Sequence, residues 1–201
     1  MPKFLLTLIY GLSALSCFSQ KNYGVSQDYY IYQNSGSSIV PLIYYETKNH
    51  WYTVARYNYE EDQTLSLQLG KKFSREGSIS YSVIPLAGLL AGKFNGLSIC
   101  MQTEIEAGKF SLFTEPEYCF QLKEPAEKFF YNWSEFSFQL SKSFYTGVAM
   151  QMTGTKQGVL TTEPGFLLGI NVKKFELPLY FFKPSTAPGY FVVGLHWCLE
   201  K

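Results

Sequence analysis

The stretch from Trp51 to Phe73 reads WYTVARYNYE, then EDQ, then TLSLQLGKKF. Taken with a period of two, it sets Trp51, Thr53, Ala55, Tyr57 and Tyr59 on one face, followed by Leu65, Leu67 and Leu69. Arg56, Asn58, Glu60, Ser66 and Gln68 fall on the other, because successive strand side chains point to opposite sides. The pattern predicts a two-strand hairpin with one apolar and one polar face. Nearly every later strand repeats it, and no helical segment is left to cover the apolar sides. A closed barrel standing in lipid resolves this, since lipid covers the apolar face and closure removes the edges. The expected fold is all-β, an up-and-down antiparallel transmembrane β-barrel of about twelve strands.

Further strands are expected at Tyr23 to Tyr32, Ser38 to Glu46, Ser78 to Leu90, Leu97 to Glu106, Phe110 to Leu122 and Phe129 to Leu140. Phe144 to Thr153, Thr162 to Lys173, Phe175 to Phe182 and Gly189 to Leu199 complete the set. Each is close to the ~9–11 residues that a tilted strand needs to cross the hydrocarbon. The connections alternate between tight, as at Thr47 to Asn49 or Ala107 to Lys109, and generous, as at Lys123 to Lys128 or Gly154 to Thr161. Short periplasmic turns opposite longer extracellular loops produce this alternation. Pro41, Pro85, Pro116 and Pro178 interrupt strand patterns. In a barrel without edges they are expected to mark bulges or local bends.

The composition is 46% hydrophobic, 18% aromatic and 16% charged, which fits a lipid-exposed β protein, although strand propensity alone also favours Tyr and Phe. Residues 1–19 read as a cleaved signal peptide, with Lys3, an apolar run from Phe4 to Leu15 and small residues before Gln20. A rival reading makes Cys17 a lipidation site. Residues 20–201 form one barrel domain. Loss of Lys3 with the leader leaves basic and acidic residues equal in number, so no nucleic-acid partner is indicated. Cys100, Cys119 and Cys198 remain, an odd number for an exported chain. Cys100 and Cys119 share a facing and could pair, while free thiols are the simpler expectation.

Ala55-Arg56-Tyr57-Asn58-Tyr59-Glu60 followed by Leu69-Gly70, then Glu117-Tyr118, Phe129-Phe130-Tyr131-Asn132-Trp133-Ser134-Glu135 and Pro164-Gly165-Phe166-Leu167-Leu168-Gly169 carry a further signal. In these residues the chain resembles a family of outer-membrane-type barrel proteins from Bacteroidetes. The resemblance implies a bacterial outer-membrane setting and a Gram-negative source, and no reaction. The tail Trp197-Cys-Leu-Glu-Lys departs from the aromatic ending common in such barrels.

The inward face carries the candidate site. Glu104, Glu115, Glu117 and Glu135 lie on three consecutive strands, with Arg56 and Glu60 elsewhere on the wall, Lys173 on a later strand and His196 inward on the last. Rings of side-chain charge select ions in pores, so these residues define a lumen lining or binding surface for a small polar solute. The competing reading is a narrow barrel filled by salt bridges for stability. A lipid-acting hydrolase is the alternative from another class, needing a Ser–His site. His50 falls at a turn and no Ser stands out beside His196, so no catalytic residues are assigned. A plugged structural barrel meeting partners through its extracellular loops is the third possibility. No metal, nucleotide or other cofactor motif occurs, and the expected partner besides a solute is outer-membrane lipid.

Overall fold

The computed structural model describes residues 22–32, 36–122, 128–154, 159–185 and 188–199. The expected leader and Cys17 lie outside these residues. The strands are β1 (Asn22–Tyr32), β2 (Ser37–Glu46), β3 (Trp51–Tyr57), β4 (Thr64–Lys71), β5 (Phe73–Arg75), β6 (Ile79–Gly92) and β7 (Gly96–Ala107). They continue as β8 (Phe110–Gln121), β9 (Lys128–Gln139), β10 (Phe144–Gly154), β11 (Leu160–Val172), β12 (Phe175–Phe182) and β13 (Tyr190–Leu199). Apart from β4 and β5, strands adjacent in sequence pair antiparallel, and β1 pairs with β13 from Tyr23 opposite Leu199 to Tyr32 opposite Tyr190. The sheet therefore closes on itself. Segments β4 and β5 both pair with β6 in a single register and form one stave, so the barrel has twelve staves.

The prolines sit where the ladders can spare them. The gap between β4 and β5 falls opposite Pro85, and there Lys72 turns its N–H to His50 O at 2.8 Å. The β7–β8 ladder lapses between Cys100 opposite Glu117 and Thr103 opposite Thr114, at Pro116. The β12–β13 ladder lapses around Pro178, and the β2–β3 ladder starts at Leu42, one residue past Pro41. Proline has no N–H to give, yet at Pro85, Pro116 and Pro178 the register is the same on both sides of the gap. This corrects the expectation of bulges: the prolines remove individual pairings and insert no residue. On the outward parity beside Pro116, the Thr114 hydroxyl donates to Asn132 Oδ1 at 3.1 Å, and Asn132 Nδ2 donates to Ser134 Oγ at 2.9 Å. Polar groups facing lipid are thus satisfied within the wall.

The facing follows the period of two. Along β4, Thr64, Ser66, Gln68 and Gly70 are buried while Leu65, Leu67, Leu69 and Lys71 are exposed. Leu67 is 54% exposed and Leu168 58%, in an outward apolar band of the kind that membrane barrels turn to lipid. At the tight-turn end the band is rimmed by Trp51, Phe73, Phe110, Phe144, Phe175 and Trp197, all exposed; amphipathic aromatic rings suit that boundary. Inside, small residues admit large ones. Gly169 lies opposite Tyr145, and a Cβ there would meet the tyrosine ring carbon Cζ at 1.9 Å; Gly24 stands in the same relation to Tyr44.

Two further expectations are corrected, those for the end of β3 and for Lys173, while the simpler expectation of free thiols holds. Strand β3 ends at Tyr57 rather than Glu60, because Asn58 has φ 60°, a left-handed conformation that reverses the facing. Tyr59 therefore turns inward instead of outward. Lys173 lies in the two-residue turn after β11, exposed and with φ 57°, rather than on an inward strand position. Cys100 and Cys119 are free buried thiols, since Cys100 faces Glu117 and Cys119 faces Ser98 across the ladder.

Replacing Leu67 by Arg places a charge in lipid and is expected to cost about 2–4 kcal/mol if the position is near the midplane. Replacing Gly169 by Val drives a side chain into the Tyr145 ring and is expected to cost about 1–3 kcal/mol. Urea unfolding of the detergent-folded barrel measures both.

Candidate functional site

The lumen is crossed by a charged knot. Strand β3 aims Arg56 inward, and its side chain is wholly buried. The guanidinium donates to Glu115 from β8 through Nη1 and to Glu117 Oε2 through Nη2 at 2.8 Å. Nη2 also stands 2.8 Å from Glu60 Oε1. Reaching β8 from β3 means spanning the barrel interior, since β4, β6 and β7 lie between them along the wall. Gln68 Nε2 supports the knot by donating to Glu117 Oε1 at 2.7 Å and to Ser98 Oγ at 2.9 Å, and Gln102 Nε2 donates to Glu115 Oε2 at 3.2 Å. Close, hydrogen-bonded partners offset part of the cost of burying these charges.

The inward turn at Asn58 completes it. Asn58 Nδ2 donates to Ile39 O at 3.0 Å, and Gln63 N–H donates to Asn58 Oδ1 at 2.7 Å, fixing the connection between β3 and β4. Tyr59 then lies over Arg56, 4.1 Å from Cζ to the ring centroid, and meets the Tyr131 ring of β9 edge-on at 5.3 Å. Guanidinium over an aromatic face is an attractive contact. Burial pushes the Glu60 carboxyl up from its ordinary range, Arg56 pulls it back and Glu117 adds to the rise.

The opposite wall closes with aromatic rings. Trp133, Tyr145, Tyr180, Phe182 and Tyr190 form one buried cluster with Leu167 and Val192, and Tyr30 packs against it. Trp133 Nε1 and Tyr180 OH both donate to Glu135 Oε1, at 2.5 and 2.8 Å. Tyr190 OH donates to Glu163 at 2.6 Å, and Lys183 Nζ meets the same carboxylate at 2.5 Å. His196 stands between two acids, with Nε2 at 3.0 Å from Asp28 and Nδ1 at 3.6 Å from Glu176. Both ring nitrogens thus face carboxylates, with Nε2 within hydrogen-bond distance of Asp28.

Between the knot and the tight-turn end the lumen opens into a cavity of about 360 Å3, lined among others by Tyr44, Tyr52, Lys72, Gln102, Glu104 and Phe113. It continues outward into a space of about 630 Å3 that shares Lys72, Ser82 and Glu104. The Tyr44 and Tyr52 rings stack at 5.5 Å, and Lys72 Nζ pairs with Glu46 at 3.2 Å.

Of the residues expected from sequence, the structure brings together Arg56, Glu60, Glu115 and Glu117. Glu60 joins them from a connection rather than from the wall. Glu104 lines the cavity, while Glu135 and His196 belong to separate inward networks. Lys173 is exposed at the turn between β11 and β12 and does not line the wall. Sequence reasoning placed Gln68 inward without giving it a role, and it passed over Asp28 and Glu176. Parity alone could have flagged the last two, but Asp28 and His196 are 168 positions apart and meet only through ring closure.

No protein-family model matches the chain, and no curated protein matches it. Solved structures do resemble it. A KdgM porin superposes with TM-score 0.61 at 10% identity, over 88% of this chain and 99% of that one. A NanC porin superposes with TM-score 0.58 at 7% identity, over 89% and 99%. A KdgM porin in complex with disordered oligogalacturonate gives TM-score 0.58 at 10% identity, over 88% and 99%. At this identity the likeness is one of fold, a closed twelve-stave antiparallel barrel shared with porins.

Replacing Arg56 by Met leaves three carboxylates buried around no cation. The expected loss is about 3–5 kcal/mol, as when one partner of a buried ion pair is removed. Glu115→Gln, which keeps a hydrogen-bond acceptor for Nη1, is expected to cost clearly less; urea unfolding midpoints in detergent compare the two.

Proposed function

We propose that the protein is an outer-membrane barrel of a Gram-negative cell, of Bacteroidetes type. In this reading it admits or binds a small polar solute in its lumen, with a preference for cationic or neutral over anionic species. The observation that carries the reading is the inward charge. In the tight-turn half of the lumen Asp28, Glu46, Glu104, Glu135 and Glu176 stand against Lys72 and His196. Carboxylate-lined passages favour cations. Oligogalacturonate, present with one of the structural neighbours, is a polyanion, and this lining is unsuited to it.

The knot and the aromatic cluster both lie across the path. Passage therefore requires Tyr59 and Glu60 to move aside, and a barrel that holds its solute in the tight-turn cavity is the second reading that the knot favours. Lipid on the outer band and a leader cleaved near Ser19 belong to the same proposal.

Single-channel recording of the folded mature protein in a planar bilayer tests it. Discrete, cation-preferring steps are expected, with the preference reduced in a Glu104→Gln/Glu135→Gln variant. Electrical silence from protein shown to be folded by heat-shifted gel mobility would overturn the channel and leave the binding barrel.

A further inference from the structure

The Arg56 knot holds more negative charge than its own cation balances. Glu60, Glu115 and Glu117 all reach one guanidinium, so two charges stay uncompensated when the three are ionised. Their side chains are at most 6% exposed, and unpaired charge at such depth is strongly disfavoured. Something else must meet it.

Beside the acids lies a second, independent observation. Glu60 Oε2, Ser66 Oγ and Gln68 Oε1 are buried oxygens without a hydrogen-bond partner, and Ser66 and Gln68 are 0% exposed. Ser66 stands close to the Glu60 carboxylate, and the Gln68 amide holds Glu117. Native interiors rarely leave such atoms unmet. Surplus acceptor oxygens combined with two surplus negative charges match a hard divalent cation, because carboxylate, amide carbonyl and hydroxyl oxygens are its preferred donors.

We propose that Glu60, Ser66, Gln68 and Glu117 bind one divalent cation of the calcium class. The ion neutralises the knot and ties the connection after β3 to the walls of β4 and β8. Arg56 and the ion then share the carboxylates Glu60 and Glu117, with Nη2 on Glu60 Oε1 and the partnerless Oε2 left for the ion. The site holds the inward connection in place whether or not the barrel conducts.

The test uses the full barrel folded in detergent, stripped with EDTA and titrated with CaCl2 by calorimetry, with MgCl2 alongside. One Ca2+ per chain is expected, with a melting temperature higher in Ca2+ than in EDTA. Affinity should be at least tenfold weaker in Glu60→Gln and lower also in the milder Ser66→Ala, with heat-shifted gel mobility showing that each variant is folded. Folded wild-type protein that takes up no Ca2+ would overturn the proposal, the surplus charge then being met by protons. So would Ca2+ binding of unchanged affinity in Glu60→Gln, and Mg2+ binding in preference to Ca2+ would overturn the calcium-class assignment.

Discussion

Everything in this barrel depends on the pairing of β1 with β13. A backbone N–H or C=O left open in hydrocarbon costs several kcal/mol, so a sheet facing lipid is tolerable only if its first and last strands meet. The ten-residue ladder between Tyr23–Tyr32 and Tyr190–Leu199 meets that need. It also explains the prolines, each of which removes one donor from a ladder without moving the register. A shift of one residue would exchange the leucines of β4 for Ser66 and Gln68 on the lipid side.

Closure then creates an interior that must be filled. Twelve staves enclose more space than aliphatic side chains alone would occupy, and the two sides are filled differently. On one side a single guanidinium gathers carboxylates from β8 and from the connection after β3. On the other, rings from β9, β10, β12 and β13 pack together, with Glu135 and Glu163 each held by tyrosine hydroxyls. Tyr59 joins the two through Arg56 and Tyr131. The knot and the rings thus occupy the interior, and toward the tight-turn end an acidic lining faces the cavity beside Glu104.

Much of this was legible in the chain. The alternation through Trp51–Tyr57 and Thr64–Lys71 was enough to set which side of the wall each residue faces, since the strand period leaves two choices and lipid accepts only one. The inward positions of Arg56, Glu104, Glu115, Glu117 and Glu135 followed from that alternation. It failed at Asn58, where a left-handed residue reverses the parity and sends Tyr59 into the lumen, while Glu60, expected on the inward wall, reaches Arg56 from the connection instead. Asparagine tolerates that conformation, but its identity does not announce it. Lys173 was misplaced for the same reason: the strand ends one residue earlier, in a turn with positive φ.

Sequence by itself determined the class of fold and the facing of the strands, because both arise from local periodicity and from the solvent on either side. Only the tertiary structure decided which inward groups meet. Arg56 and Glu115 are separated by 59 positions and Asp28 and His196 by 168. Their meeting depends on the number of staves, the ring closure and the cross-lumen distance, none of which is written in any one strand.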